Sequence, residues 1–140
     1  MELVCPHCGA VNRVPDTRLH DQPKCGKCGV AVLPPAPIEL GAAQFDRFLS
    51  RDGLPVLVDF WAPWCGPCRQ FAPTFSQMAG QLAGQVRFVK VNTEAEPVLA
   101  ARYNIRSIPT LALFRQGREL DRVSGALPGP QLVGWLKQYL

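Results

Sequence analysis

Six cysteines fall as three C-x-x-C pairs: Cys5 with Cys8, Cys25 with Cys28, and Cys65 with Cys68. Two thiols three positions apart can hold a metal ion as thiolates, or can cycle between dithiol and disulfide. A framework of structural disulfides is the third use of cysteine and belongs to secreted chains. The opening residues "MELVCPHCGA" lack a basic start followed by a long apolar core. The expectation is therefore a cytoplasmic protein, whose reducing surroundings favour metal or redox chemistry.

The first two pairs stand as C-x2-C-x16-C-x2-C, a spacing suited to a four-thiolate zinc site. Residues 1–33 contain no aromatic residue and, besides Met1, only eight large apolar ones, too few to offset the entropy of ordering the segment. Zinc held by Cys5, Cys8, Cys25 and Cys28, one ion per chain, would supply the missing free energy. "CPHC" alone could also be a redox dithiol with His7 steadying a thiolate, but no strand precedes it and no long helix follows. His7 reads as a solvated neighbour of the site, since four thiolates already complete a tetrahedron.

The third pair lies in "WCGPC", Trp64 to Cys68, between an apolar run and a polar stretch with helical spacing. Cys65 then follows a strand and starts a helix, where unpaired N–H groups and the helix dipole favour a thiolate. Cys68, one turn into the helix and less exposed, can attack a disulfide formed on Cys65. Gly66 leaves room for a substrate chain, and Pro67 fixes its own dihedral and donates no hydrogen bond.

The elements that position this pair alternate between strand and helix. "PVLVDF" reads as a buried strand, and "CRQFAPTFSQMAGQLAG" as a helix with Phe71, Phe75, Met78 and Leu82 on one side, kinked at Pro73. "QVRFVKVN" alternates, with Val86, Phe88 and Lys90 facing one way and Arg87, Val89 and Val91 the other. "FDRFLS" and "EPVLAARYN" suit short helices, the second opened by Pro97. "TLALFRQGRELDRVSG" reads as a hairpin turning at Gln116-Gly117. "PGPQLVGWLKQYL" closes the chain as a helix carrying Leu132, Val133, Leu136 and Leu140, with Trp61 and Trp135 read as core residues. Three prolines in "PPAP" mark a stiff linker, giving a zinc-binding module at 1–33, a linker at 34–37 and an α/β domain at 38–140.

Composition excludes several classes. With 47% hydrophobic and 19% charged residues the chain is globular, not disordered. No window approaches a membrane span. A net charge of +4 without any run of basic residues offers no patch that would track a phosphate backbone, so nucleic acid is not an expected partner.

Asp59 stands in an otherwise apolar strand, where a carboxylate pairs with a cation or keeps its proton; Lys90 is the available cation, and exposure at a strand end is the alternative. Pro109 precedes an apolar strand and can simply mark its start.

The segments "DFWAPWCGPCRQFAP", "FVKVNTE", "YNIRSIPTLALFRQG" and "SGALP" make residues 38–140 resemble the thioredoxin family, and the whole chain is similar to its bacterial thioredoxin 2 type, which carries an amino-terminal zinc module. The resemblance implies a thioredoxin-like α/β fold, a central mixed sheet flanked by helices, preceded by a small zinc-ribbon-like module. It implies a protein disulfide reductase in which Cys65 attacks a protein disulfide, Cys68 resolves the mixed disulfide, and Asp59 beside Lys90 exchanges the Cys68 proton. The redox-active disulfide would be Cys65–Cys68, with Pro109 in cis facing it. Trp64, Gly66, Pro67, Ile108, Pro109 and Gly125 would receive the substrate chain. The implied partners are a thioredoxin reductase using NADPH and disulfide-containing proteins, with the chain itself a monomer. Arg69 stands where many thioredoxins carry Lys, and Ser107 where several carry Gly. The competing reading is a redox sensor, or a binding module whose zinc ribbon recruits a partner while the thioredoxin-like part serves as scaffold.

Overall fold

The computed structural model describes residues 1–140. Short strands β1 (Glu2–Val4) and β2 (Val11–Arg13) pair antiparallel, and a 3-10 turn follows at Asp16–Arg18. The remainder alternates as β3 (Ile38–Glu39), α1 (Ala42–Arg51), β4 (Val56–Trp61), α2 (Gly66–Gln81), β5 (Arg87–Asn92), α3 (Pro97–Arg102), β6 (Thr110–Arg115), β7 (Arg118–Ser124) and α4 (Gly129–Lys137). Five strands form one mixed sheet in the order β3-β5-β4-β6-β7, with β3 and β4 parallel to β5 and the β4/β6 and β6/β7 pairs antiparallel. No helix is long and apolar enough to cross a membrane.

Strand β4 lies between β5 and β6, so its side chains are buried on both faces, and its near-continuous apolar sequence follows from that position. One face carries Val56, Val58 and Phe60 against Phe45, Phe48 and Leu49, spaced i, i+3, i+4 on α1. The other carries Leu57, with Phe88 and Leu111, against Phe71, Phe75 and Met78 of α2 and Leu132 and Leu136 of α4. Helix α2 runs on through Pro73, which has no N–H to give the Arg69 carbonyl one turn earlier. The Gln116-Gly117 turn joins β6 to β7 with φ of 51° and 82° at the two residues. Leu140 lies beyond α4 and is 49% exposed, so it is not a core residue of the last helix. Trp135 is half-buried and donates its indole N–H to Asp121 (2.9 Å), an acceptor it shares with the Tyr139 hydroxyl (2.6 Å).

Residues 1–33 sit against the sheet domain and share its interior. Val4 belongs to the main core with Phe45 and Phe48, while Leu54, from the loop before β4, is buried among Leu3, Cys5, Val14, Cys25 and Val32. Backbone and side chains cross the same boundary: the Gly53 N–H donates to the Glu2 carbonyl (2.7 Å) and Arg47 Nε to the Gly9 carbonyl (2.8 Å). A segment with few apolar residues of its own thus borrows apolar cover from its neighbour.

Candidate active site and metal centre

Strand β4, central in the sheet, delivers the chain from its C-terminal end to the "WCGPC" turn. Cys65 caps α2, and its Sγ accepts the N–H of Cys68 at 3.2 Å, which places the sulfur at the positive end of the helix dipole. Pro67 occupies the first turn, where a missing N–H costs nothing. Cys65 and Cys68 are joined as a disulfide with their Cα atoms 5.2 Å apart. The two residues are 4% and 3% exposed, so the expected contrast between an open and a hidden sulfur is slight in this oxidised form, where each sulfur covers the other and Trp61 and Ile108 pack around them.

What is open around the disulfide is its rim. Trp64 is 67% exposed, and a Cβ added at Gly66 would meet nothing within 4 Å. The Ile108–Pro109 peptide is cis, and the Ile108 carbonyl oxygen lies 3.8 Å from Cys65 Sγ. The Pro109 carbonyl is held by the N–H of Gly125, whose φ of +100° suits glycine and whose missing side chain leaves open space. An exposed apolar rim beside a disulfide can hold a second chain for sulfur-to-sulfur exchange.

Asp59 lies on the sheet face covered by α2, 1% exposed. Burial raises its pKa to about 7, although Lys90 opposes the rise, and its Oδ1 has no hydrogen-bond partner. Lys90 is opposite Asp59 in the β4/β5 register, but its Nζ sits 4.5 Å over the Trp61 ring rather than closing an ion pair with the carboxylate. Trp61 is accordingly a half-buried residue beside the disulfide, between the site and the Lys90 cation, and not part of either main core. Its indole N–H is unpartnered.

Cys5, Cys8, Cys25 and Cys28 bring their four sulfurs within 4.8 Å of one another. Cys5 and Cys28 Sγ are 3.6 Å apart and Cys8 and Cys25 Sγ 3.7 Å, close to the edge of about 3.8 Å of a tetrahedron with metal–sulfur bonds of ~2.3 Å. Two equivalent turns build it: Cys5 N–H donates to the Ala10 carbonyl and Cys25 N–H to the Val30 carbonyl, both at 2.8 Å. The N–H of Cys28, the amide of Asn12 and the N–H of Lys27 lower the Cys25 pKa to about 6. The donor set, spacing and thiolate-directed N–H groups fit zinc. Asn12 escaped the sequence reading, although a lone amide in a short strand between two cysteine turns is the kind of residue that orients ligands; its Oδ1 also accepts the Gly26 N–H at 2.9 Å. His7 is exposed.

Residues 36–138 match the family model described as Thioredoxin, and residues 4–30 match Thioredoxin 2, N-terminal, a zinc-ribbon model. The chain belongs to the thioredoxin family. Thioredoxin C-3 of Corynebacterium nephridii is 51% identical over 140 residues, covering all of this chain and 96% of that protein. Thioredoxin 1 of Synechococcus elongatus is 49% identical over 98 residues, 70% of this chain and 92% of its own length. Among solved structures, a point mutant of a thioredoxin from Halobacterium salinarum superposes with a TM-score of 0.70 at 30% identity, across 76% of this chain and 93% of that one. As a thioredoxin with a C-x-x-C pair at disulfide distance, the protein is a protein disulfide oxidoreductase, and its amino-terminal part is a zinc ribbon with a four-cysteine cluster.

Proposed function

We propose that this thioredoxin works as a general reductant of protein disulfides. The observation that carries the reading is the Cys65–Cys68 disulfide at the start of α2, flanked by exposed Trp64 and by the Ile108–Pro109 segment. The reduced Cys65 thiolate attacks one sulfur of a substrate disulfide; that bond breaks, and the departing substrate sulfur takes a proton from water. Cys68 gives its proton to Asp59 and attacks Cys65 Sγ; the bond from Cys65 to the substrate breaks, and the second substrate sulfur leaves as a thiolate that takes a proton from water, as Asp59 later returns its own. Two electrons have then passed to the substrate, and the protein is left as the disulfide.

Trp64, Gly66, Pro67, Ile108, Pro109 and Gly125 form the surface that receives the substrate backbone, and Lys90 is the cation beside Asp59. A flavin-dependent thioredoxin reductase drawing on NADPH restores the dithiol in the cytoplasm, and the protein acts as a monomer. Residues 1–33 are a zinc module, 34–37 the linker and 38–140 the catalytic domain. Cys5, Cys8, Cys25 and Cys28 hold one zinc ion, which when bound supplies a structural cross-link and neutralises thiolate charge. The test is insulin reduction with Cys65→Ser and Cys68→Ser: the first loses activity with the fold intact, and the second accumulates a mixed disulfide on Cys65. Full insulin reduction by Cys65→Ser would overturn the mechanism.

A further inference from the structure

Strand register places three charged residues in one row across the sheet. Glu39 of β3 is opposite Lys90 of β5, and Lys90 is opposite Asp59 of β4. All three point to the face covered by α2 and α4, because Ile38, Val89, Val58 and Phe60, their neighbours in sequence, are buried on the α1 side. The row continues with Leu111 of β6 and Val123 of β7, neither ionisable. From the covering helices, Cys68 of α2 is the buried residue that becomes titratable once the disulfide is reduced, and α4 contributes Leu132 and Leu136. In the row Lys90 therefore stands between two acidic residues, one buried and one at the open edge of the sheet, while its ammonium rests over the Trp61 ring at 4.5 Å.

We infer that Glu39 is a positioning residue for disulfide exchange, its negative charge at the end of the row offsetting that of Lys90 at Asp59 and so governing how readily Asp59 takes up and releases the Cys68 proton. The inference rests on the proposed role of Asp59 as that proton acceptor. Electrostatics run in the required direction: burial and the Glu39 charge raise the Asp59 pKa while Lys90 lowers it, and Glu39 is itself raised by burial against the pull of Lys90. Two strand spacings separate Glu39 from Asp59, about 10 Å, close enough for a carboxylate to be felt along a partly dry row.

The experiment is a carboxyl-carbon NMR titration of the oxidised, zinc-loaded full chain, where neither active-site cysteine titrates. Glu39→Gln should lower the Asp59 midpoint by roughly half a pH unit. Glu39→Asp, which keeps the charge, should restore the wild-type midpoint. In parallel, the acidic limb of the pH profile for insulin reduction should move down with Glu39→Gln. An Asp59 midpoint equal in wild type and Glu39→Gln overturns the role of Glu39 while leaving Asp59 untouched. A pH profile that Asp59→Asn does not alter removes Asp59 from the proton path, and with it the use of Glu39, whatever the midpoint does.

Discussion

Arg87 and Asp52 form an ion pair sealed from water: Nη1 reaches Oδ1 at 3.1 Å, and the side chains are 2% and 0% exposed. Each charge also has partners beyond the other. Arg87 Nη2 donates to the carbonyls of Val4 (3.2 Å) and Val32 (2.8 Å), and Asp52 accepts the N–H groups of Val4 (2.9 Å) and Leu54 (3.2 Å). The guanidinium carbon also lies 4.8 Å over the Phe48 ring. The pair thus ties both ends of the metal module, one residue from Cys5 and at the end of the second cysteine turn, to β5 of the catalytic sheet.

Removing one member should leave the other charged and dry. Asp52→Ala is expected to cost about 3–5 kcal/mol. Paired apolar replacement of both residues should recover little of it, because the backbone groups of Val4, Val32 and Leu54 lose their partners too. Urea unfolding of the single and double variants measures both; a double variant as stable as wild type would contradict the assignment.

Stripping metal from the four-cysteine site should weaken more than residues 1–33. Val4 lies in the main core and Leu54 in the module core, so loosening one exposes the other. With a strong chelator under reducing conditions, Tm of the whole chain should fall by on the order of 10 °C, the effect of a few kcal/mol on a chain of this size. Calorimetry reads it, and an unchanged Tm would show that the module contributes nothing to the catalytic fold.

Asp59 sets a stability trend with pH. Its pKa is raised to about 7 in the folded protein, against about 3.9 in an unfolded chain. The unfolded carboxyl therefore ionises first as pH rises, and folding loses stability between about pH 4 and pH 7. Asp59→Asn removes that loss: it should be more stable than wild type by on the order of 2–4 kcal/mol at pH 8 and nearly equal to it at pH 4. The same variant should be slower in disulfide reduction. Equal stability at both pH values would mean that Asp59 is ionised throughout.

Gly125→Val tests the rim. A branched side chain at φ +100° should cost about 1–2 kcal/mol, and it fills the open space beside the Pro109 carbonyl. Turnover of insulin should fall more than turnover of a small aromatic disulfide, which needs no backbone alignment. An equal loss on both substrates would remove Gly125 from the substrate surface.

The catalytic fold was largely legible because its signals are local. The "PVLVDF" run became a strand buried on both faces, the Phe71, Phe75 and Met78 spacing became the inner side of α2, and Gln116-Gly117 became a turn. The four-cysteine spacing pointed to a site whose sulfurs do converge. Arg87 was legible only as one of the residues facing away from Phe88; nothing near it in sequence announces Asp52, 35 positions earlier, or the carbonyl of Val4, 83 positions earlier. Lys90 was read as the neighbour of Asp59, but register cannot say that its ammonium would settle over Trp61 instead. Long-range polar contacts leave no periodicity, and these are what join the two parts.

The exchange of Val4 and Leu54 between the two interiors bears on the proline segment that follows Leu33. Cutting the chain between Pro34 and Pro37 would break a covalent connection and none of the contacts that hold residues 1–33 in place. A protease working there would leave two peptides that co-elute as one particle, separable only by denaturant.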